Sequence, residues 1–149
     1  MKKIVSILIF IALCVLTSCS QKEVVEQNYI YKGENDSWSA EYKVDSRYEI
    51  IDNKRKNSYE GKSDNMLKVT YKKDLSNLSL VKEFEITYET SRGGGTYKEE
   101  FSEANPIKQK TFIHQSSSSG AKVEDKNEII KVIIKTDEKT EEINLKSVK

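Results

Sequence analysis

One histidine, one proline and two cysteines in 149 residues remove most familiar chemistry before any motif is sought. A lone histidine cannot supply the two- or three-histidine sets of transition-metal sites. Any serine- or cysteine-type triad would have to use His114 as its base. Two cysteines, Cys14 and Cys19, are too few for a thiolate zinc or iron–sulfur site. Charge of one sign is also lacking: 25 Lys and Arg face 24 Asp and Glu. That balance is neither the basic footprint of a nucleic-acid binder nor a strongly acidic surface. No apolar run reaches the roughly 20 residues of a bilayer-spanning helix. We expect no cofactor, no metal and no nucleic-acid partner.

The longest apolar run follows Met1-Lys2-Lys3 and extends over 4–16 with only Ser6 interrupting it. A short cationic segment followed by an apolar stretch of this length reads as an export signal. It ends in Leu16-Thr17-Ser18-Cys19, which resembles the lipobox of bacterial lipoproteins: a large aliphatic residue three before the cysteine, with small residues between. The resemblance implies a thioether between the Cys19 thiol and a diacylglyceryl group, and peptidase cleavage between Ser18 and Cys19. Cys14 follows bulky Leu13 and leaves with the signal. The alternative is a plain secretory signal with an accidental cysteine. At about 0.8 kcal/mol per buried methylene, one acyl chain holds weakly and two anchor stably. The expected address is the extracytoplasmic face of the cell membrane.

Cleavage there also removes Lys2 and Lys3 and leaves a mature charge of about −1. The lipid consumes the only remaining thiol, so no disulfide forms even on an export route that permits one. A chain of this size makes one domain. Residues 1–18 are the signal peptide, 19–27 the lipidated cysteine and a tether, and 28–149 the folded domain. The segment 20–27, SQKEVVEQ, is polar apart from Val24 and Val25 and reaches no more than about 25–30 Å when extended.

From Asn28 onward the dominant period is two, that of a half-buried strand. Trp38, Ala40, Tyr42 and Val44 alternate with polar neighbours, as do Leu67, Val69 and Tyr71, and Phe84, Ile86 and Tyr88. Residues 129–134 are apolar on both faces, the pattern of a central strand covered on both sides. A polar turn and the returning strand 142–145 complete a C-terminal hairpin. Weaker strands are expected at 29–32, 47–51, 96–101 and 111–115. Turn signals lie at 33–36, 52–57, 93–95, 105–106 and 116–120. The segment 75–81 has the spacing of a helical turn and is too short for a stable helix. Seven to nine short strands in one domain point to an all-β fold, a single antiparallel immunoglobulin-like β-sandwich, with a small β-barrel as the alternative.

The stretch Gly33-Glu34-Asn35-Asp36-Ser37-Trp38-Ser39-Ala40-Glu41-Tyr42, the loop at Gly93-Gly94-Gly95, and an Ile-rich strand followed by a charged turn around Lys139 and a last short strand are similar to a group of small lipoproteins of Bacillus-type Firmicutes. The resemblance spans most of the mature chain. It implies a Gram-positive membrane address and the fold, and supplies no activity.

The candidate chemistry is sparse. Ser116 to Ser119 stand near His114, with no Gly-x-Ser-x-Gly elbow, and His114 shares a strand face with Phe112, a structural position. Glu99, Glu100 and Glu103 lack calcium-loop spacing and read as a solvated edge. With 24 acids and plentiful aromatics, a glycosidase-like carboxylate pair arises by chance. Gly93 to Gly95 lack the Lys-Ser/Thr of a phosphate loop and fit a hairpin turn that needs positive φ. Lys54, Arg55 and Lys56 form a basic turn that suits anionic headgroups, worth about 1 kcal/mol per residue near such a surface, or a soluble loop. Trp38 and most of the eight tyrosines fall on apolar faces and fill a core. No catalytic set emerges. The expected function is a membrane-anchored, non-enzymatic binding module with an envelope protein or wall component as partner. The alternatives are an envelope hydrolase using His114 or a carboxylate pair, and a structural or stress-related envelope lipoprotein.

Overall fold

The computed structural model describes residues 22–53, 56–120, 124–137 and 139–148. Among these residues eight strands follow one another: β1 (Lys22–Glu34), β2 (Trp38–Asn53), β3 (Lys56–Tyr71), β4 (Glu83–Thr90), β5 (Gly93–Glu100), β6 (Thr111–Ser119), β7 (Ile130–Thr136) and β8 (Lys139–Ser147), with a 3-10 turn at Leu75–Leu78. All pair antiparallel in one sheet of order β5-β4-β7-β8-β1-β2-β3-β6, bent until it is nearly closed into a barrel. The fold is all-β, in the small-barrel form of the two architectures expected from the sequence.

Two four-stranded halves meet along β8 and β1 through a short seam, Tyr31 opposite Ser147 and Lys32 opposite Lys146, extended by the Val148 amide donating to the Ile30 carbonyl at 2.8 Å. Those few bonds convert a potential two-sheet sandwich into one sheet. The two free edges, β5 and β6, approach each other without pairing.

The alternation has the expected effect. Tyr31, Trp38, Tyr42, Val44, Leu67, Val69, Phe84, Ile86, Phe112, Val132, Ile134, Ile143 and Leu145 are all buried in one core. Outward positions carry charge, paired across strands as Lys32–Glu41 at 2.9 Å, Lys131–Glu142 at 3.1 Å and Lys135–Glu85 at 3.1 Å. Exposed pairs of this kind contribute at most about 1 kcal/mol each.

Three expectations change. β7 has a neighbour on both edges but is covered on one face only: Ile130, Val132 and Ile134 are buried, Ile133 is half-buried and Ile129 is exposed. The segment read as a tether is strand from Lys22 onward, because its alternate residues pair with β2, Lys22 opposite Ile51 through Asn28 opposite Asp45. β2 and β3 are each a continuous 16 residues, running through Ser46 and Ser63 without a break. The first part of β1, the last part of β2 and the first part of β3 therefore project past the barrel as a three-stranded ribbon. Along residues 22–29, β1 has no strand on its outer edge among the described residues, a length of about 25 Å. Of the basic turn, Lys54 and Arg55 lie outside the described residues, as do Ser18 and Cys19. Lys56 pairs with Asn53 at the start of β3.

Candidate functional site: a polar cavity at the ribbon end

The two ends of the barrel are built from different side chains. Away from the ribbon, Phe84 stacks on Phe112 with ring centroids 4.2 Å apart, and Trp38, Tyr71 and Tyr97 close around them. There β4, β5 and β6 meet tightly enough to leave no room for water between Leu67, Ile86, Tyr97 and Phe112. Toward the ribbon the inward positions turn polar: Ser46 on β2, Ser63 and Asn65 on β3, Ser116 and Ser118 on β6. The unpaired edges of β5 and β6 diverge here, and a cavity of about 210 Å³ opens between Tyr42, Asn65, Tyr88, Ser116, Ser118, Arg92, Gly93 and Glu124.

Glu124 is the unusual member. It is 3% exposed, its Oε1 accepts a hydrogen bond from the Tyr42 hydroxyl at 3.1 Å, and its Oε2 is buried with no partner among the described residues. A buried carboxylate oxygen left unmatched costs stability, on the order of 1–3 kcal/mol or more for a charged group. The turn that follows it explains its placement. Asp125 starts a turn closed by the Glu128 amide donating to the Asp125 carbonyl at 2.9 Å, with the Asp125 carboxylate accepting from the Asn127 amide at 2.8 Å, the usual use of Asp at a first turn position. The Tyr31 hydroxyl donates to the same Asp125 carbonyl at 2.8 Å. Glu128 in turn accepts from the amide and hydroxyl of Ser91, which ties the turn to the β4–β5 hairpin.

Acidic groups act on two buried phenols at this end. Burial, then the charge of Glu124, drives the Tyr42 phenol well above its ordinary 10.0. Burial, then Glu128 and Glu124, does the same to Tyr31. Both phenols remain neutral donors. No three His, Cys, Asp or Glu side chains among the described residues are grouped so that they could hold a metal ion.

His114 sits half-buried on the inward face beside Phe112, its ring 5.8 Å from that of Tyr88. Its side chain makes no hydrogen bond among the described residues, and it lines the closed contact between β4 and β6 rather than the cavity. Of the neighbouring serines, Ser116 reaches the Tyr88 hydroxyl at 3.5 Å and Ser117 faces Asp64 on the other side of the sheet. They belong to β6 and not to a turn. Glu99 accepts from the Tyr97 hydroxyl, which helps burial push that phenol up to about 12, while Glu100 and Glu103 are exposed.

The turn expected at Gly93 to Gly95 lies one step earlier, at Ser91-Arg92, with Thr90 opposite Gly93. Gly93 alone has the positive φ, 143°. Gly95 serves close approach: a Cβ there would stand 2.6 Å from the Tyr88 ring and 3.0 Å from His114 Nε2. Sequence reasoning missed Glu124 altogether. The only local signal was the Asp125-Lys126-Asn127 turn, because one acid among 24 is not distinguished by its neighbours.

No protein-family model, no curated protein and no solved structure matches the chain. Its geometry alone carries the functional reading.

Proposed function

We propose that this chain is a membrane-anchored, non-enzymatic lipoprotein of the extracytoplasmic face that binds a small polar ligand in the cavity at the ribbon end. The observation that supports binding is Glu124, a buried carboxylate with one oxygen tied to Tyr42 and the other unmatched, on the wall of a cavity that opens where the barrel fails to close.

The address rests on the lipobox Leu16-Thr17-Ser18-Cys19. β1 begins three residues beyond Cys19, so at about 3.5 Å per residue an anchor on Cys19 stands within roughly 10 Å of the sheet. The anchor therefore joins the domain without a long flexible link. β1 enters the barrel from the cavity end, where Glu124, the β4–β5 hairpin and the last residue of β8 also lie. An anchored domain would hold its cavity toward the bilayer, with Lys56 at the start of β3 on the same side.

Metabolic labelling with a fatty-acid analogue tests the address. Label is expected on the wild-type chain in the membrane fraction and absent from Cys19→Ala. Equal labelling of the two would remove the anchor from this reading.

A further inference from the structure

We propose that the cavity takes the ammonium group of a small organic amine, paired with the Glu124 carboxylate beside the rings of Tyr42 and Tyr88. This rests on the cavity being the binding site and is independent of the lipid on Cys19.

Four observations converge on a cation. The unmatched oxygen belongs to a carboxylate, an acceptor that calls for a hydrogen-bond donor carrying positive charge. Two aromatic rings, 5.4 Å apart, line the cavity beside it, and ring faces attract ammonium groups. Glu128 and Asp125 stand in the same turn as Glu124 and offset the Arg92 guanidinium that also lines the cavity. The Oγ of Ser116 and the side-chain oxygen of Asn65, which also line the cavity, offer acceptors for the other two of the three ammonium hydrogens.

The same observations argue for an organic amine over a metal ion. Calcium takes six to eight oxygens and transition metals prefer imidazole or thiolate, whereas no acidic or His cluster among the described residues provides such a set. A volume of about 210 Å³ admits a small organic molecule. An ammonium of this kind has two sources at a membrane surface, a free amine or an ethanolamine-type lipid headgroup, and the chemistry recognised is the same.

The test uses the full-length chain in detergent, titrated with ethanolamine and with ethylene glycol, which is of similar size but has no charge. Saturable binding of ethanolamine and none of ethylene glycol is expected for the wild type, with at least tenfold weaker ethanolamine binding for Glu124→Gln. The comparison of the two probes needs no variant and stands even if Glu124→Gln fails to fold. Ser116→Ala, at a half-buried cavity position, is expected to weaken ethanolamine severalfold. Equal binding of the two probes, or no saturable binding of ethanolamine, overturns the proposal. Saturable binding of acetate in place of ethanolamine keeps the cavity as a binding site and overturns the ammonium assignment. With the chain reconstituted into vesicles, suppression of ethanolamine binding by phosphatidylethanolamine but not by phosphatidylglycerol supports the proposal and identifies the headgroup as the source. Unaltered binding in both supports it with a free amine.

Discussion

The closed end and the ribbon end of this barrel are made by the same strands, yet one is finished and the other is left open. At the closed end, rings of Phe84, Phe112, Trp38 and Tyr97 interlock, and their polar groups are satisfied, Trp38 Nε1 donating to Glu141 at 3.0 Å and the Tyr97 hydroxyl to Glu99. Although burial works to raise the Glu141 carboxyl, hydrogen bonds from Lys139, Ser37 and Trp38 outweigh it and hold the group below its ordinary value. At the ribbon end Glu124 is fully buried, where the Glu141 side chain is 17% exposed, and it has one partner. A carboxylate surrounded by donors strengthens a fold, while one held short of donors is poised for a ligand.

The contrast can be broken most strongly with alkali. Tyr31 and Tyr42 at the ribbon end are protonated in the fold far above the pH at which they ionise in the unfolded chain. Their contribution is complete below pH 10 and is lost as pH rises beyond it. Phenolate absorbance is expected to rise together with cooperative unfolding above pH 10, and ionisation of all tyrosines without unfolding would contradict the burial described. Next in size is Phe84→Ala at the closed end, expected to cost about 3–5 kcal/mol in chemical denaturation because its ring is wholly buried among three others.

Smaller effects sharpen the ribbon side. Ser46 and Ser63 are buried and bonded to each other at 2.7 Å. Ser63→Ala should cost about 1–3 kcal/mol by stranding the Ser46 hydroxyl, Ser46→Ala less because Ser63 keeps its bond to Asn65 at 3.0 Å, and the double change less than the sum. A double-mutant cycle measures the difference. Gly95→Ala forces the Tyr88 ring aside and should cost about 1–2 kcal/mol, within the range for overpacking. It should also weaken whatever the cavity binds.

That serine pair shows why the strands were legible only in part. Trp38, Ala40, Tyr42 and Val44 announce the first half of β2 through apolar alternation, but the inward position two residues on is Ser46, which splits this pattern from the weaker strand read at 47–51. Two hydroxyls facing each other satisfy one another across β2 and β3, so an inward residue can be polar, and single-chain periodicity does not register a partner on another strand. Ser116 to Ser119 hid the end of β6 in the same way, and residues 22–27 hid the start of β1. Closure of the sheet was illegible for another reason. Sandwich and barrel require the same alternation, and the choice between them rests on a few hydrogen bonds at Tyr31 and Lys32. Glu124 was out of reach because what marks it is burial beside Tyr42, a contact between residues 82 apart in the chain.

The claim that the ribbon end is built for a ligand at some expense of stability is tested most directly by Glu124→Gln and the wild type, compared in thermal unfolding and in ethanolamine titration. Gln keeps an oxygen for the Tyr42 hydroxyl and removes the unmatched charge, so the unfolding midpoint should stay or rise while ethanolamine affinity falls at least tenfold. A lowered midpoint with unchanged affinity would make Glu124 a structural residue and contradict the account.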